Sequence, residues 1–485
     1  MSIPLIKNPS HLFFSKASAA YQEVFFFWAW AVLIVWAPIP LGSNRPWAWA
    51  LLEMGILALA ALWLSAVAIG RLPIPATLQR AEWFLLLLMI WLIYQAIYIV
   101  PMPASWTASI SPEAAAMHAL TAPLQASAVD SWKTLAVDPH AAMVSWLKSL
   151  CYVLSFVMTL AVITTRQRAQ QFAYTLVLSA LAMAVFGILM HLAGINIKWF
   201  GTLIAHGAEA SATFANRNHF AGYLEMILAI GIGLLIAGLK EYRAQTWKQF
   251  IRHFIEWILS AKMRLRLMLC IMVIALVATH SRMGNTGFFS SLMIAGVIGI
   301  ALARHAVRGT VILLVSLIVI DLLIVGSWFG VDKLAQRLEQ TTIADVEVRQ
   351  DPSVYALKII QDYPVVGSGP GSFYAVFPRY RGPDVAALFE YAHNDYAQFA
   401  AESGVAGLGL LGLMVTWSLA VALRAQYIRR DPLMRGLSFA SVMGIVAILI
   451  HSSVDFNLQI PSNALLFMVL LALAWLSLHL ERRAR

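Results

Sequence analysis

The chain has 485 residues, 60% of them hydrophobic and only 12% charged, with a mean hydropathy of +0.75, which excludes a soluble multidomain protein. Its net charge of +10 does not mark a nucleic-acid binder, because no stretch interleaves basic and aromatic residues on a polar surface. Two cysteines, Cys151 and Cys270, both inside apolar runs, exclude a disulfide or metal framework.

Apolar runs long enough to cross about 30 Å of hydrocarbon recur from end to end. They fall at 24–41, 47–69, 83–100, 141–163, 172–195, 219–239, 265–279, 286–303, 310–329, 404–423, 436–450 and 464–480. The expected fold is all-α, a polytopic bundle of about 12 transmembrane helices with a large, partly helical periplasmic loop between helices 9 and 10. Lys and Arg gather in alternate connections, such as Lys240, Arg243, Lys248 and Arg252 after the sixth run and Arg424, Arg429, Arg430 and Arg435 after the tenth. The positive-inside rule places these connections and both termini in the cytoplasm. The first run closes on Ala37-Pro38-Ile39-Pro40 with no small-residue cleavage pattern, so it is expected to stay as an anchor. No repeat or low-complexity linker divides the chain. Residues 1–485 read as a single transmembrane domain, with 330–403 as a periplasmic loop subdomain and 101–140 as a second external segment.

Inside the large loop, Asp351 and Pro352 have the form of a helix start, followed by Val354, Leu357 and Ile360 on one stripe and stopped at Tyr363-Pro364. Gly367-Ser368-Gly369-Pro370-Gly371 predicts a turn, and without a preceding strand its glycine spacing does not predict a nucleotide site. A second helix is expected from His393-Asn394-Asp395 through Tyr396 and Phe399 to Glu402, ending at Ser403-Gly404. His393 then stands at a helix N-terminus, whose dipole disfavours imidazolium and leaves a neutral ring able to accept a proton.

Three polar clusters interrupt the hydrocarbon: Asn216-Arg217-Asn218-His219, His280-Ser281-Arg282 and His393-Asn394-Asp395. The predicted topology puts all three at the external surface, at the depth of lipid phosphates. Arginine pairs bidentately with phosphate oxygens and stays charged, so Arg217 and Arg282 are candidate diphosphate ligands. Ionisable residues within the spans are Glu53, Lys148, Glu225 and Asp321, and such residues face a bundle interior or water. Glu225 lies two turns beyond Asn218 and is expected to brace the arginine cluster from below. His451 and Asp455, four apart on one helical face, suit an Asp that orients a histidine or pairs with Arg217 or Arg282. Asp395 either caps its helix or orients neighbours, while Arg349, Arg379 and Arg381 are external charges able to guide a glycan or diphosphate. No dense carboxylate cluster faces outward, so no metal and no cofactor is expected.

The stretches from Thr213 to His219, Ser281 to Gly284, Pro364 to Phe373, His393 to Gln398 and His451 to Asp455 resemble, in order and topology, the O-antigen ligase and polymerase superfamily. These are bacterial inner-membrane glycosyltransferases acting on undecaprenyl-diphosphate-linked glycans. The resemblance runs from about residue 195 to the C-terminus, and the first five spans match only in hydropathy. It implies that Arg217 and Arg282 grip the donor diphosphate and that His393 deprotonates the acceptor hydroxyl for inverting transfer without a metal. Asn216, Asn218, His219, Glu225, Asn394, Asp395, Arg349, Arg379, His451 and Asp455 are the supporting candidates. The acceptor is either lipid A core or a second lipid-linked glycan. Between Asp332 and Glu402 six basic residues face ten acidic ones, a balance that weakens the lipid A reading. A transporter or flippase of lipid-linked glycans is the alternative, and it predicts repeated halves that the sequence does not show.

Overall fold

The computed structural model describes residues 9–121, 132–204, 209–238, 261–302, 315, 352–383, 385 and 388–481. The first helices are α1 (Pro9–Trp36), α2 (Pro46–Ala68), α3 (Ala76–Gln79), α4 (Glu82–Ile97), α5 (Ala104–Ile110), α6 (Pro112–Thr121), α7 (Pro139–Val162), α8 (Arg166–Ala193) and α9 (Arg217–Ala237). They are followed by α10 (Ala261–Ala278), α11 (Arg282–Ala301), α12 (Pro352–Asp362), α13 (Phe373–Tyr380), α14 (Asp395–Ile428), α15 (Pro432–His451) and α16 (Pro461–His479). Each predicted span except the ninth coincides with a helix. The ninth, with Asp321, lies outside the described residues apart from residue 315, as do Arg349 and Asp351. Among the described residues, 8 helices are long and apolar enough to cross a membrane, and Ala20–Trp36 and Glu82–Ile97 are shorter apolar helices. The protein is an all-α polytopic membrane protein.

Local chemistry fixes where the helices begin. Asp138 accepts from the Ala141 amide at 3.0 Å ahead of Pro139, and Asp431 accepts from the Leu433 amide at 2.9 Å ahead of Pro432. Gly194, with φ +63°, ends α8 in the left-handed conformation that glycine adopts without a Cβ clash.

Three helices form the centre of the bundle. Within their apolar windows α9 and α16 are each 89% buried and α15 is 78% buried, against 33% for α2, so the outer helices turn much of their surface to lipid. In hydrocarbon no hydrophobic force drives helices together, and close backbone packing must do so. Gly233 and Gly436 supply it: a Cβ on Gly233 would fall 2.3 Å from the Gly436 carbonyl oxygen. At the other end of the same pair Glu225 meets His451, so α9 and α15 run antiparallel and the N-terminus of α9 shares an end with the C-terminus of α15.

That end carries the large connections. Met102–Pro103 pairs antiparallel with Trp132–Lys133, and Ile197–Trp199 pairs with Thr202–Ile204. A second apolar cluster joins Ala356, Ile359, Tyr363, Phe373 and Phe377 of the large loop to Ala114 of α6. The face of α12 it uses shares only Ile360 with the predicted stripe. Ala356 and Ile359 are buried while Val354 and Leu357 point outward, because small Ala356 lets the helix settle onto the aromatic pair Phe373 and Phe377. The glycine stretch is a packed corner. Ser368 and Gly369 amides donate to the Ala401 and Glu402 carbonyls at 2.9 Å each, and a Cβ on Gly371 would lie 2.6 Å from Ser145 Oγ in α7. Its amides are thus spent on protein acceptors.

Candidate active site

Each of the three polar clusters begins a helix. Asn216 caps α9 by accepting from the Asn218 amide at 2.8 Å, Ser281 caps α11 by accepting from the Gly284 amide at 3.2 Å, and Asn394 caps α14 by accepting from the Ala397 amide at 3.0 Å. Arg217, Arg282 and Asp395 are therefore first-turn residues, beside amides whose dipoles attract anions. His280 and His393, immediately before their caps, hold φ of +52° and +53°. That left-handed conformation costs a non-glycine residue roughly 1–3 kcal/mol and persists where surrounding structure enforces it.

Two glycines bring α11 against α9. A Cβ on Gly284 would fall 2.5 Å from the Ala221 Cβ, and one on Gly287 would fall 2.8 Å from Glu225 Oε2. The first turns of α9 and α11 thus lie side by side, each bearing one of the two candidate arginines. Arg217 forms an ion pair with Glu209 and its side chain is 40% exposed. Arg282 is exposed and, among the described residues, has no carboxylate within ion-pair distance.

Below them runs a chain of alternating carboxylates and imidazoles. Glu225 Oε1 lies 2.7 Å from His451 Nδ1, His451 Nε2 lies 3.7 Å from Asp455 Oδ2, and Asp455 Oδ1 lies 3.7 Å from His219 Nε2. The first contact is a hydrogen bond, and the two longer ones are ion-pair separations. All four side chains are buried, Glu225 and His451 completely. Burial by itself would raise the Asp455 carboxyl, but the attraction of His219 and His451 overrides it and holds the group well below the ordinary carboxylate range. Asp455 also accepts from the Phe456 amide at 2.8 Å.

Phe456 joins this chain to the third cluster. Its ring meets His219 edge-on at 4.6 Å and His393 edge-on at 4.8 Å, and Tyr391 stacks on it at 4.7 Å. His393 further abuts Phe389 at 5.6 Å. The start of α14 is stitched to the turn after α15: the Asp395 carboxylate accepts from Ser452 Oγ at 2.8 Å and the Leu458 amide at 3.0 Å, and Asn394 Nδ2 donates to the Ser453 carbonyl at 2.7 Å. Stretches of chain far apart in sequence are thus brought to one end of the bundle around one aromatic ring.

Several expectations change in detail. Glu225 does not brace the arginines; a buried carboxylate needs a close partner, and His451 on the adjacent helix supplies it. Asp455 pairs with neither arginine and sits between two histidines, because the turn that follows α15 directs it inward. Asp395 is not the cap; Asn394 takes that position, leaving Asp395 to anchor the 452–458 turn. Arg379 lies away from the cluster, paired with Glu113 of α6 at 3.2 Å. Arg349 lies outside the described residues. Sequence reading missed Glu209, Tyr391 and Phe456, since no spacing rule ties a loop acid or an isolated aromatic to a distant histidine.

The family model described as O-antigen ligase matches residues 267–412. Over that stretch the chain is similar to the O-antigen ligase family. None of the curated proteins matches the chain. The O-antigen ligase stretch runs from α10 into α14 and contains Arg282, His393 and Asp395, while Arg217, Glu225, His451 and Asp455 lie outside it and reach the site only through the fold. The apolar helices make this a multi-pass membrane protein, and the family match supports ligase- or polymerase-type glycosyltransferase function in general.

Proposed function

We propose that the protein is an inverting glycosyltransferase of the O-antigen ligase type, moving a glycan from undecaprenyl diphosphate to an acceptor hydroxyl on the periplasmic side of the inner membrane. The acceptor is lipid A core or another lipid-linked glycan. The observation that carries this reading is the gathering of Arg217 and Arg282, on adjacent helix N-termini, at the end of the bundle where His219 and His393 meet Phe456.

The chemistry follows from charge. A diphosphate already bonded to the anomeric carbon departs readily once its developing negative charge is met by fixed cations and helix N-terminal amides. Arg217 and Arg282 take that role. His393 takes the proton from the acceptor hydroxyl, whose oxygen attacks the anomeric carbon from the face opposite the diphosphate. The new glycosidic C–O bond forms as the old one breaks, and the diphosphate carrier leaves with the bonding electron pair. Asp395 fixes the start of His393's helix, and the Glu225–His451–Asp455 chain fixes His219, so these act as positioning residues. The two guanidiniums supply the positive charge, and the reaction is read as metal-independent.

The test is glycan transfer by purified protein from an undecaprenyl-diphosphate glycan, offered lipid A core and a second glycan carrier in separate reactions containing EDTA. Arg217→Ala, Arg282→Ala and His393→Ala should each abolish transfer while membrane insertion persists. Wild-type turnover by any one of them removes that residue from the mechanism, and movement of glycan across vesicles without a new bond replaces transfer with transport.

A further inference from the structure

A cavity of about 600 Å³, lined in part by Tyr391 and Asp395 but not by His393, lies between α2, α4, α7, α14 and α16. Its lining is of two chemical kinds. The polar part includes Lys148, Gln95, Tyr152, Glu390 and Tyr391. Along the bundle its wall is Leu408, Leu411, Val415, Met468 and Leu471, and it opens sideways past Gly412 and Thr416, which are exposed on the surface of a membrane-crossing helix.

Lys148 is the informative residue. Its ammonium stands 3.8 Å over the Trp49 ring, and among the described residues no carboxylate lies within ion-pair distance of it. The nearest acids are otherwise engaged or set apart. Glu402 accepts from the Phe373 amide at 3.2 Å and Gln398 Nε2 at 2.7 Å, and Asp395 holds Ser452 and Leu458. Glu53, on α2, and Glu402 act on Lys148 only from beyond contact, and Glu390, also on the cavity lining, makes no ion pair with it. A cation kept in a membrane helix, facing a cavity and lacking a contacting counter-ion, calls for an anionic ligand. An apolar wall open to lipid calls for hydrocarbon.

We infer that this cavity seats the lipid anchor of the acceptor, with an anchor phosphate on Lys148 and its chains along Leu408, Leu411, Val415 and Met468. Both acceptors considered above share that chemistry, a phosphate joined to long hydrocarbon. The inference rests on the glycosyltransferase reading for the word acceptor, because the cavity shares Tyr391 and Asp395 with the segment that presents His393. A transferase must hold two lipid-borne substrates at once, and neither arginine lines this cavity.

The test uses native mass spectrometry of the full-length protein carrying Arg282→Ala, which silences the donor clamp, with diphosphoryl lipid A, undecaprenyl phosphate and phosphatidylglycerol as probes. One of the first two should be retained in preference to phosphatidylglycerol. Lys148→Gln should lower its retention by about tenfold, the scale of one lost charge-assisted contact, and Lys148→Arg should preserve it. Gly412→Leu should lower retention as well without harming the fold, since a Cβ there meets nothing within 4 Å. Retention that ignores both Lys148→Gln and Gly412→Leu overturns the proposal, as does equal, equally sensitive retention of phosphatidylglycerol, which would make the cavity an ordinary lipid seat. In the otherwise wild-type protein, Lys148→Gln should raise KM for the acceptor and leave KM for the donor unchanged. If no transfer is seen with either acceptor while the binding pattern holds, the glycosyltransferase reading fails and the phosphorylated-lipid site remains.

Discussion

The contact between Glu225 and His451 gives the sharpest energetic expectation. At 2.7 Å and with both side chains fully buried, it is a charge-assisted hydrogen bond with no solvent to replace either partner. His451→Leu strands the Glu225 carboxylate among helices, and removing one member of such a pair costs about 3–5 kcal/mol. Glu225→Leu is milder, roughly 1–3 kcal/mol, because Asp455 still faces His451 at 3.7 Å. The double variant removes both polar groups and should be less destabilised than His451→Leu alone, since an apolar pair leaves no orphan in the core. The assay is reversible unfolding in bicelles or detergent for wild type, both single variants and the double variant, read as a cycle. Losses that add to within about 0.5 kcal/mol would show that the two side chains are uncoupled and refute the argument.

On the proposed mechanism Glu209, paired with Arg217, competes with an incoming diphosphate, so Glu209→Gln should lower KM for the donor with little change in kcat; a raised KM would show that the pair instead positions the arginine. Gly287→Ala places a Cβ 2.8 Å from Glu225 Oε2 and 3.2 Å from the Ala447 carbonyl oxygen. The overpacking should cost about 1–3 kcal/mol, measurable as a lowered Tm, and an unchanged Tm would mean that α11 shifts freely. The depressed pKa of Asp455 means that its ionised form stabilises the fold at any pH above its unfolded value of about 3.9, and that this contribution is lost as pH falls through the folded value. Asp455→Asn should therefore be less stable at neutral pH and show a flatter loss below about pH 4; parallel acid profiles for the two proteins would contradict the sign.

The three polar clusters were legible in the sequence as interruptions of the hydrocarbon at the ends of spans. Their caps were not: the structure gives Asn216, Ser281 and Asn394, where the sequence reading offered Asp395 and no cap for the other two. The break at Gly404, φ +62°, marks the place where the loop helix meets the membrane helix of α14, and a Cβ there would strike the Val365 carbonyl oxygen at 2.1 Å. Alternation of basic connections and apolar runs then places the three clusters on one side, which the antiparallel contact of α9 with α15 agrees with.

Partners were not legible. Helical phase puts Glu225 on the face of Asn218, but which neighbouring helix fills the space opposite depends on Gly233, Gly436, Gly284 and Gly287 allowing backbones to within van der Waals reach. Only that approach turns His451 towards Glu225, sets Asp455 between two imidazoles and places Phe456 against His219 and His393. By itself the sequence determined a multi-pass helical bundle, the ends of its spans and the polar residues standing on them, because length and hydropathy act within one stretch of chain. Which of those residues face one another was decided by the tertiary structure, because in a dry interior a polar side chain takes the nearest partner that packing brings to it, and nearness across helices is written in no single segment.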